Sequence, residues 1–349
     1  MKYAKDTRPK GVANKAAEVL VEALPWIKNI TGKTVVIKYG GSAMVDEQLR
    51  ADVMNDIVLL KIVGVNPVIV HGGGKAITEA MDFLQLPVEF KDGQRVTTPE
   101  AMDLVRTVLM GKVNQELVEA LNEHGNFAVG VSGADAGVIV AEQASPELGR
   151  VGRITRINSP LLDDLVAGDY IPVVASVALG EDGGFYNVNA DMVAGHIAAA
   201  IGAHKVVFLT DVDGLYENFE NKDSLISNLT LFEAQYMVEN NIVSTGMIPK
   251  LKSCIHALDS GVFRAHIING ITPHSLLLEL LTSTGVGTTM HSTEESCTFD
   301  THPWATSPPS CWRTASMPPA RCRTPRFSKR AKEGPSWALP RNSSLNPHT

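Results

Sequence analysis

The stretch Val35-Val36-Ile37-Lys38-Tyr39-Gly40-Gly41 constrains the fold of this chain more than any other. A short β-branched run reads as a buried parallel strand, and the two glycines end it abruptly. Open α/β sheets bind ligands at the carboxyl ends of their strands, which is where Lys38 falls. Glycines at such a place let backbone N–H groups come close to an anion. The same design returns at Val68-Ile69-Val70-His71-Gly72-Gly73-Gly74. Two strand-then-glycine loops in the first quarter of the chain predict a site for two anionic ligands.

The chain has 349 residues, enough for one large α/β domain or two smaller ones, and 44% of them are hydrophobic. A net charge of −7 argues against nucleic acid as the main partner. Met1 to Leu24 holds no continuous apolar run of the kind a secretory signal needs. No apolar run approaches the roughly 20 residues that span a bilayer. Composition breaks sharply at Met290. The last 60 residues contain no Val and no Ile, yet hold 9 of 19 Pro, 3 of 4 Cys and 3 of 4 Trp. That segment carries 8 Lys/Arg against 4 Asp/Glu, while residues 1–289 carry 23 against 34. A packed β-rich ending needs branched aliphatics, so residues 290–349 read as an atypical, disordered tail. Its cysteines Cys297, Cys311 and Cys322 lack the paired spacing of a zinc site, and no metal ligand is assigned. The body keeps a single cysteine, Cys254, which suits a reducing cytoplasm.

Along the chain, apolar groups at helical spacing predict a helix over residues 11–30 that Pro25 kinks or ends. It is either an ordinary packing helix or an extension that docks on another subunit. Strand 34–38, helix 46–63, strand 67–70 and helix 75–84 alternate as a parallel sheet requires. Residues 88–98 read as a hairpin or loop, and Thr98-Pro99-Glu100 caps one long helix to about His124. Short strands follow near 129–132, 137–141 and 149–154, the last as an antiparallel edge. Helices at 159–168, 192–202, 244–261 and 275–281 alternate with strands at 171–175, 206–211 and 265–268. The glycine loops fit neither the GxGxxG fingerprint nor a Walker A loop, which counts against a dinucleotide-dependent dehydrogenase and a P-loop enzyme.

Six motifs occur in order: Lys38-Tyr39-Gly40-Gly41, His71-Gly72-Gly73-Gly74, Arg95-Val96-Thr97, Asn187-Val188-Asn189-Ala190-Asp191, Leu209-Thr210-Asp211-Val212-Asp213-Gly214 and Gly246-Met247-Ile248-Pro249-Lys250. Together, from about residue 30 to Thr288, they resemble the amino acid kinase family, and within it the arginine-inhibited branch acting on N-acetyl-L-glutamate in arginine biosynthesis. The resemblance implies an α/β fold, a three-layer αβα sandwich with a mainly parallel central sheet. It implies a kinase domain over 31–289 whose N-terminal half holds N-acetyl-L-glutamate and whose C-terminal half holds MgATP. Lys38 and Lys250 match the family's catalytic lysines, and Asp191 the aspartate that aligns them. Gly73, Gly74, Arg95 and Asn187 match the substrate contacts, with Arg95 pairing the α-carboxylate. Gly41, Thr210, Asp211 and Asp213 match the nucleotide site, although Asp213 could instead cap a turn.

The kinked N-terminal helix, residues 1–30, resembles the extension that interlaces dimers into a homohexamer. His266, Glu279, Gly285 and Gly287 match an allosteric L-arginine pocket, Glu279 being suited to a guanidinium; the alternative is a surface helix with one exposed glutamate. Two other readings stay open: a kinase of the same fold with a different acceptor, and a non-catalytic arginine-sensing subunit. The abrupt change after Thr289 reads as a shifted reading frame or an altered 3′ end rather than a second domain.

Overall fold

The computed structural model describes residues 10–292 other than 45, 92, 245 and 284. Helix α1 (Lys10–Ile30) leads into β1 (Thr34–Tyr39), α2 (Glu47–Ile62), β2 (Asn66–His71) and α3 (Gly74–Phe83). A small hairpin of β3 (Phe90–Lys91) and β4 (Gln94–Arg95) follows. Next come α4 (Pro99–Val108) and α5 (Gln115–Asn122), joined by a π-helical segment, Leu109–Asn114. Then come β5 (Ala128–Ser132), β6 (Ile139–Gln143), β7 (Gly152–Ile157), α6 (Pro160–Ala167), β8 (Ile171–Ala175), β9 (Val177–Gly180) and β10 (Phe185–Asn187). The second half adds α7 (Ala190–Ala200), β11 (Lys205–Thr210), β12 (Asn228–Thr230) and α8 (Leu231–Glu239). It ends with α9 (Ile248–Asp259), β13 (Arg264–Asn269), α10 (Ser275–Leu281) and β14 (Thr288–His291).

Eight strands form the main sheet in the order β12-β14-β13-β11-β1-β2-β8-β5. The six from β13 to β5 are parallel; β14 runs antiparallel to β13, and β12 parallel to β14. Residues in β1 alternate between two cores. Val35, Ile37 and Tyr39 pack with α2, α3, α4, α5 and α10. Val36 packs with α6, α7, α8 and α9 on the other face. Strands β2, β8, β11 and β13 divide their side chains the same way. That division is the signature of a sheet buried on both faces, and it makes the molecule the expected three-layer αβα sandwich. A second, four-stranded sheet, β10-β9-β6-β7, has β7 at its antiparallel edge.

The sheet positions the site. Strand β1 lies between β2 and β11, so successive connections leave it in opposite directions. Lys38 is in register with Val70 on one side and Phe208 on the other, and Tyr39 with His71. The carboxyl ends of β1, β2 and β11 are therefore level around a topological switch point, the usual ligand crevice of such sheets.

Three local expectations need correction. The helix predicted from Pro99 to His124 is interrupted at Leu109–Asn114, where an extra residue enters the turn. Pro25 does not end α1, because Ala23, Trp26 and Ile27 pack on the core around it. The boundary expected at Met290 falls inside β14, where Met290 is fully buried. The rest of the expected tail, residues 293–349, lies outside the described residues, as does the start of the predicted N-terminal extension, residues 1–9.

Candidate active site

Asp191 is the centre of the crevice. Asn189 caps α7, its side chain accepting from the N–H groups of Asp191 and Met192 at 2.8 and 3.3 Å. The cap fixes Asp191 in the first turn, facing the end of β1. Lys38 Nζ lies 3.0 Å from Asp191 Oδ1, and Lys250 Nζ donates to Oδ2 at 3.2 Å. Burial works against the charge on Asp191, but the two ammonium groups outweigh it and hold the carboxyl below its usual pKa. Lys250 reaches this point because α9 lies tightly on α7. The Ser253 hydroxyl donates to the Asp191 carbonyl. Gly195 leaves no space at that crossing: a Cβ there would overlap Ser253 Oγ and come within 2.6 Å of its carbonyl oxygen.

Two cavities meet at Lys250. One, about 1030 Å³, is lined by Gly152, Val188, Asn189, Asp191, Gly246 and Lys250 among others. The other, about 390 Å³, lies at the end of β11 against Thr210, Asp211, Tyr216, Phe219, Gly246 and Lys250. A group bridging the two would pass beside Lys250, while Lys38 lines neither cavity and reaches the same carboxylate from the end of β1. Gly41, with φ +77°, begins the turn after β1, and Gly40 gives the Lys38 ammonium its room: a Cβ there would sit 2.9 Å from Nζ.

The residues predicted for a substrate lie at the neighbouring strand end. Gly73 is the N-cap of α3 and Gly74 its first residue. The Arg95 guanidinium is turned inward upon that helix, donating to the Gly74 carbonyl at 2.9 Å and Thr78 Oγ1 at 2.6 Å, and lies over the Phe90 ring. Asn187 Nδ2 donates to Thr97 Oγ1 at 3.3 Å, and Thr97 donates back to the Arg95 carbonyl at 3.0 Å. Gly73, Gly74, Arg95 and Asn187 thus adjoin one another, but they are not among the residues lining the larger cavity.

On the β11 side, Thr210 and Asp211 line the smaller cavity. Asp213 does not. Both its carboxylate oxygens hold the loop, accepting from Tyr216 at 2.5 Å and Asn269 at 2.9 Å. Those bonds place its pKa below the usual value, and burial, with the Asp213 bond adding to it, pushes that of Tyr216 up to about 12. In the structure Asp213 is a turn-forming residue.

The set predicted for arginine lies apart, where β13, α10 and β14 meet. Glu279 is buried rather than exposed on a helix surface. It accepts from Thr289 Oγ1 at 2.9 Å and from the N–H groups of Val286 and Gly287 at 2.7 and 3.2 Å, and its Oε1 is 2.7 Å from His266 Nδ1. Burial opposes the charge, but these partners hold the Glu279 carboxyl well below the usual range. Burial also lowers His266 to about 4, which makes this contact a hydrogen bond from a neutral imidazole at pH 7. Gly285 has φ +59°, and a Cβ there would meet Glu279 Oε2 at 2.9 Å. Sequence reasoning missed Lys205, a buried cation of β11 paired in register with Arg264, and it missed Ser253, Gly195 and Asn114. Only the Asn-x-Asp cap of α7 left a trace of such positioning residues in the sequence.

A strand-end lysine, a second lysine from the opposite half of the chain and one carboxylate shared between them suit transfer of an anionic group between two ligands. The chain belongs to the amino acid kinase family, whose profile matches residues 33–269. It is a kinase. Over 274 residues it is 51% identical to the acetylglutamate kinase of Caldanaerobacter subterraneus subsp. tengcongensis, covering 78% of this chain and 92% of that one. Over 277 residues it is 48% identical to the acetylglutamate kinase of Halothermothrix orenii, covering 78% and 96%. The N-acetylglutamate synthase of Neisseria gonorrhoeae, solved with coenzyme A and N-acetyl-glutamate, shares the fold. The two superpose with a TM-score of 0.69 at 24% identity, covering 79% of this chain and 63% of that one.

Proposed function

We propose that the protein transfers the γ-phosphoryl group of ATP to the γ-carboxylate of N-acetyl-L-glutamate, forming N-acetyl-L-glutamyl 5-phosphate in arginine biosynthesis. The observation that carries this reading is the pair of lysines, one from each half of the chain, on a single buried carboxylate where two cavities meet. Similarity to acetylglutamate kinases at about half identity supplies the acceptor.

The chemistry needs little more than charge and alignment. A γ-carboxylate with a pKa of about 4.3 is ionised at pH 7, so no general base is required. One carboxylate oxygen attacks the γ-phosphorus, the bond from that phosphorus to the β,γ-bridging oxygen breaks, and ADP leaves with the electron pair. Lys38 and Lys250 neutralise charge on the phosphoryl group in transit, and Asp191 keeps both aimed at it. Thr210 and Asp211 face the nucleotide, the N–H of Gly41 its phosphates, and the N–H groups of Gly73 and Gly74 the acceptor. Asn187 and Arg95 shape the acceptor side. Among the described residues there is no cluster of three or more metal-binding side chains. A Mg²⁺ ion would be held mainly by the phosphates of ATP and would neutralise part of their charge.

L-arginine is the proposed feedback inhibitor, its guanidinium paired with Glu279 and its site closed by His266, Gly285 and Gly287. The exposed side chains of Val19, Leu20, Val21 and Leu24 on α1 support a homohexamer built through that helix. No helix among the described residues is long and apolar enough to cross a membrane, and a cytoplasmic location fits Cys254, the one cysteine among the described residues, which is buried and free. A coupled ADP-release assay tests the reading. N-acetyl-L-glutamate is expected to be the preferred acceptor over aspartate, glutamate and carbamate, with L-arginine lowering the rate. No acetylglutamate-dependent ADP release from folded protein would refute it.

A further inference from the structure

The π-helical segment between α4 and α5 has no part in the reaction as described so far, yet it touches the glycine loop of β2 from two sides. Leu109 and Val113 press on the loop directly, and a Cβ on Gly73 would come within 2.7 Å of Leu109 Cδ2 and 3.2 Å of Val113 Cγ2. Asn114, the last residue of the segment, is fully buried and reaches the histidine that opens the loop. Its Nδ2 donates to the Val173 carbonyl at 2.8 Å and lies 2.9 Å from His71 Nε2.

The Val173 carbonyl fixes which way the carboxamide faces. Reversed, the Asn114 oxygen would confront that carbonyl oxygen with no proton between them. With the amide nitrogen toward His71, Nε2 must accept, so the ring proton is on Nδ1. Nδ1 then donates to the Gly72 carbonyl at 2.9 Å. His71 is fully buried, and burial lowers its pKa to about 4, so the neutral ring persists at working pH. The chain has no cis peptide among its described residues. In a trans peptide the carbonyl and the following N–H point in opposite directions, so holding the Gly72 carbonyl toward the ring turns the Gly73 N–H away from it.

The fold gives something up for this arrangement. Asn114 Oδ1 is buried with no hydrogen-bond partner. It fits only because residue 130 is glycine, since a Cβ there would overlap that oxygen. In an uninterrupted α-helix, residue 114 would be rotated by about 100° from its present direction. A buried amide with one unsatisfied oxygen, an irregular helix turn and a glycine slot all converge on one hydrogen bond to His71.

We propose that Asn114 is a positioning residue for the acceptor substrate. It locks His71 as the Nδ1–H tautomer, and His71 in turn sets the Gly72–Gly73 peptide so that the loop N–H groups face the acceptor. The inference rests on the reading of Gly73 and Gly74 as the acceptor cradle. Long-range ¹H–¹⁵N NMR of the full chain reads the His71 tautomer without any substrate, and so decides the tautomer step whichever acceptor the enzyme uses. A neutral Nδ1–H ring is expected near neutral pH; an Nε2–H ring or an imidazolium overturns the proposal. In steady-state assays Asn114→Ala is expected to raise KM for N-acetyl-L-glutamate by about tenfold or more, with KM for ATP within about twofold of wild type. Acceptor and ATP constants that stay unchanged, or rise together, overturn it. If Asn114→Ala does not fold, His71 variants decide. His71→Asn retains an N–H donor within reach of Gly72 and is expected to keep a lower acceptor KM than His71→Leu; equal values overturn the proposal. Wild-type turnover of N-acetyl-L-glutamate in the same assays tests the acceptor reading separately.

Discussion

Asp191 shares its two oxygens between ammonium groups that arrive from opposite halves of the chain, and the sharing makes its three members unequal. Removing Asp191 leaves two lysines facing each other, whereas removing one lysine leaves the carboxylate still paired. Lys38→Met is therefore expected to cut kcat by roughly a hundredfold or more while the melting temperature stays close to wild type. Thermal unfolding run beside the kinetics checks this, and parallel losses would make Lys38 a structural residue. Lys38 was legible from its own segment, a buried strand ending in glycines, whereas Asp191 and Lys250 were reached only through the resemblance of their motifs to a family. Asn114, Gly195 and Ser253 were reached by neither route. Their importance comes from what they touch across a helix crossing or from an irregular turn, and no periodicity within their own segments encodes that. Asp213 sits in a motif and could be read two ways from the sequence, and its bonds to Tyr216 and Asn269 are those of the turn-capping alternative.

At the scale of elements, the contact between α7 and α9 decides where Lys250 points. Gly195→Ala places a methyl group against the Ser253 backbone carbonyl, and the helices must separate. The expected cost is about 1–3 kcal/mol of stability, read by denaturant unfolding, together with lost turnover as Lys250 withdraws from Asp191. A second link joins α2 to α10, where His274 Nδ1 lies 2.6 Å from the buried Asp56 Oδ1. Burial, only partly offset by His274, raises Asp56 to about 6 from 3.8. The Asp56 hydrogen bond raises His274 above 6.5. The folded state then binds more protons than the unfolded chain from about pH 4 to beyond 6.5, so the contribution of the pair falls as pH rises through that window. The melting temperature of wild type minus that of Asp56→Asn is expected to shrink between pH 5 and 8; a constant or growing difference would contradict it. Elements that escaped sequence reading were short or lacked a buried run. β14 buries only Thr288 and Met290, and β12 only Leu229. Helix α8 had left a signal: Thr230 and Glu233 form a capping box, a Thr-x-x-Glu pattern legible in the sequence.

In the whole molecule, the sheet's switch point and the two buried faces explain why so much followed from one short strand. A strand apolar on both faces must be covered on both, which gives three layers, and its position between β2 and β11 puts its end in the crevice. What the strand could not reveal was the second sheet, whose strands are short and join through non-local pairs such as β6 with β9. The central claim is that two ligands meet beside Lys38 and Lys250, and that the bond made there is an acyl phosphate. The most direct measurement is hydroxylamine trapping of the product from N-acetyl-L-glutamate and MgATP. The account predicts acetylglutamyl hydroxamate in step with ADP for the wild-type chain, and its near disappearance in Lys38→Met. ADP release without hydroxamate, or hydroxamate undiminished in Lys38→Met, would contradict it.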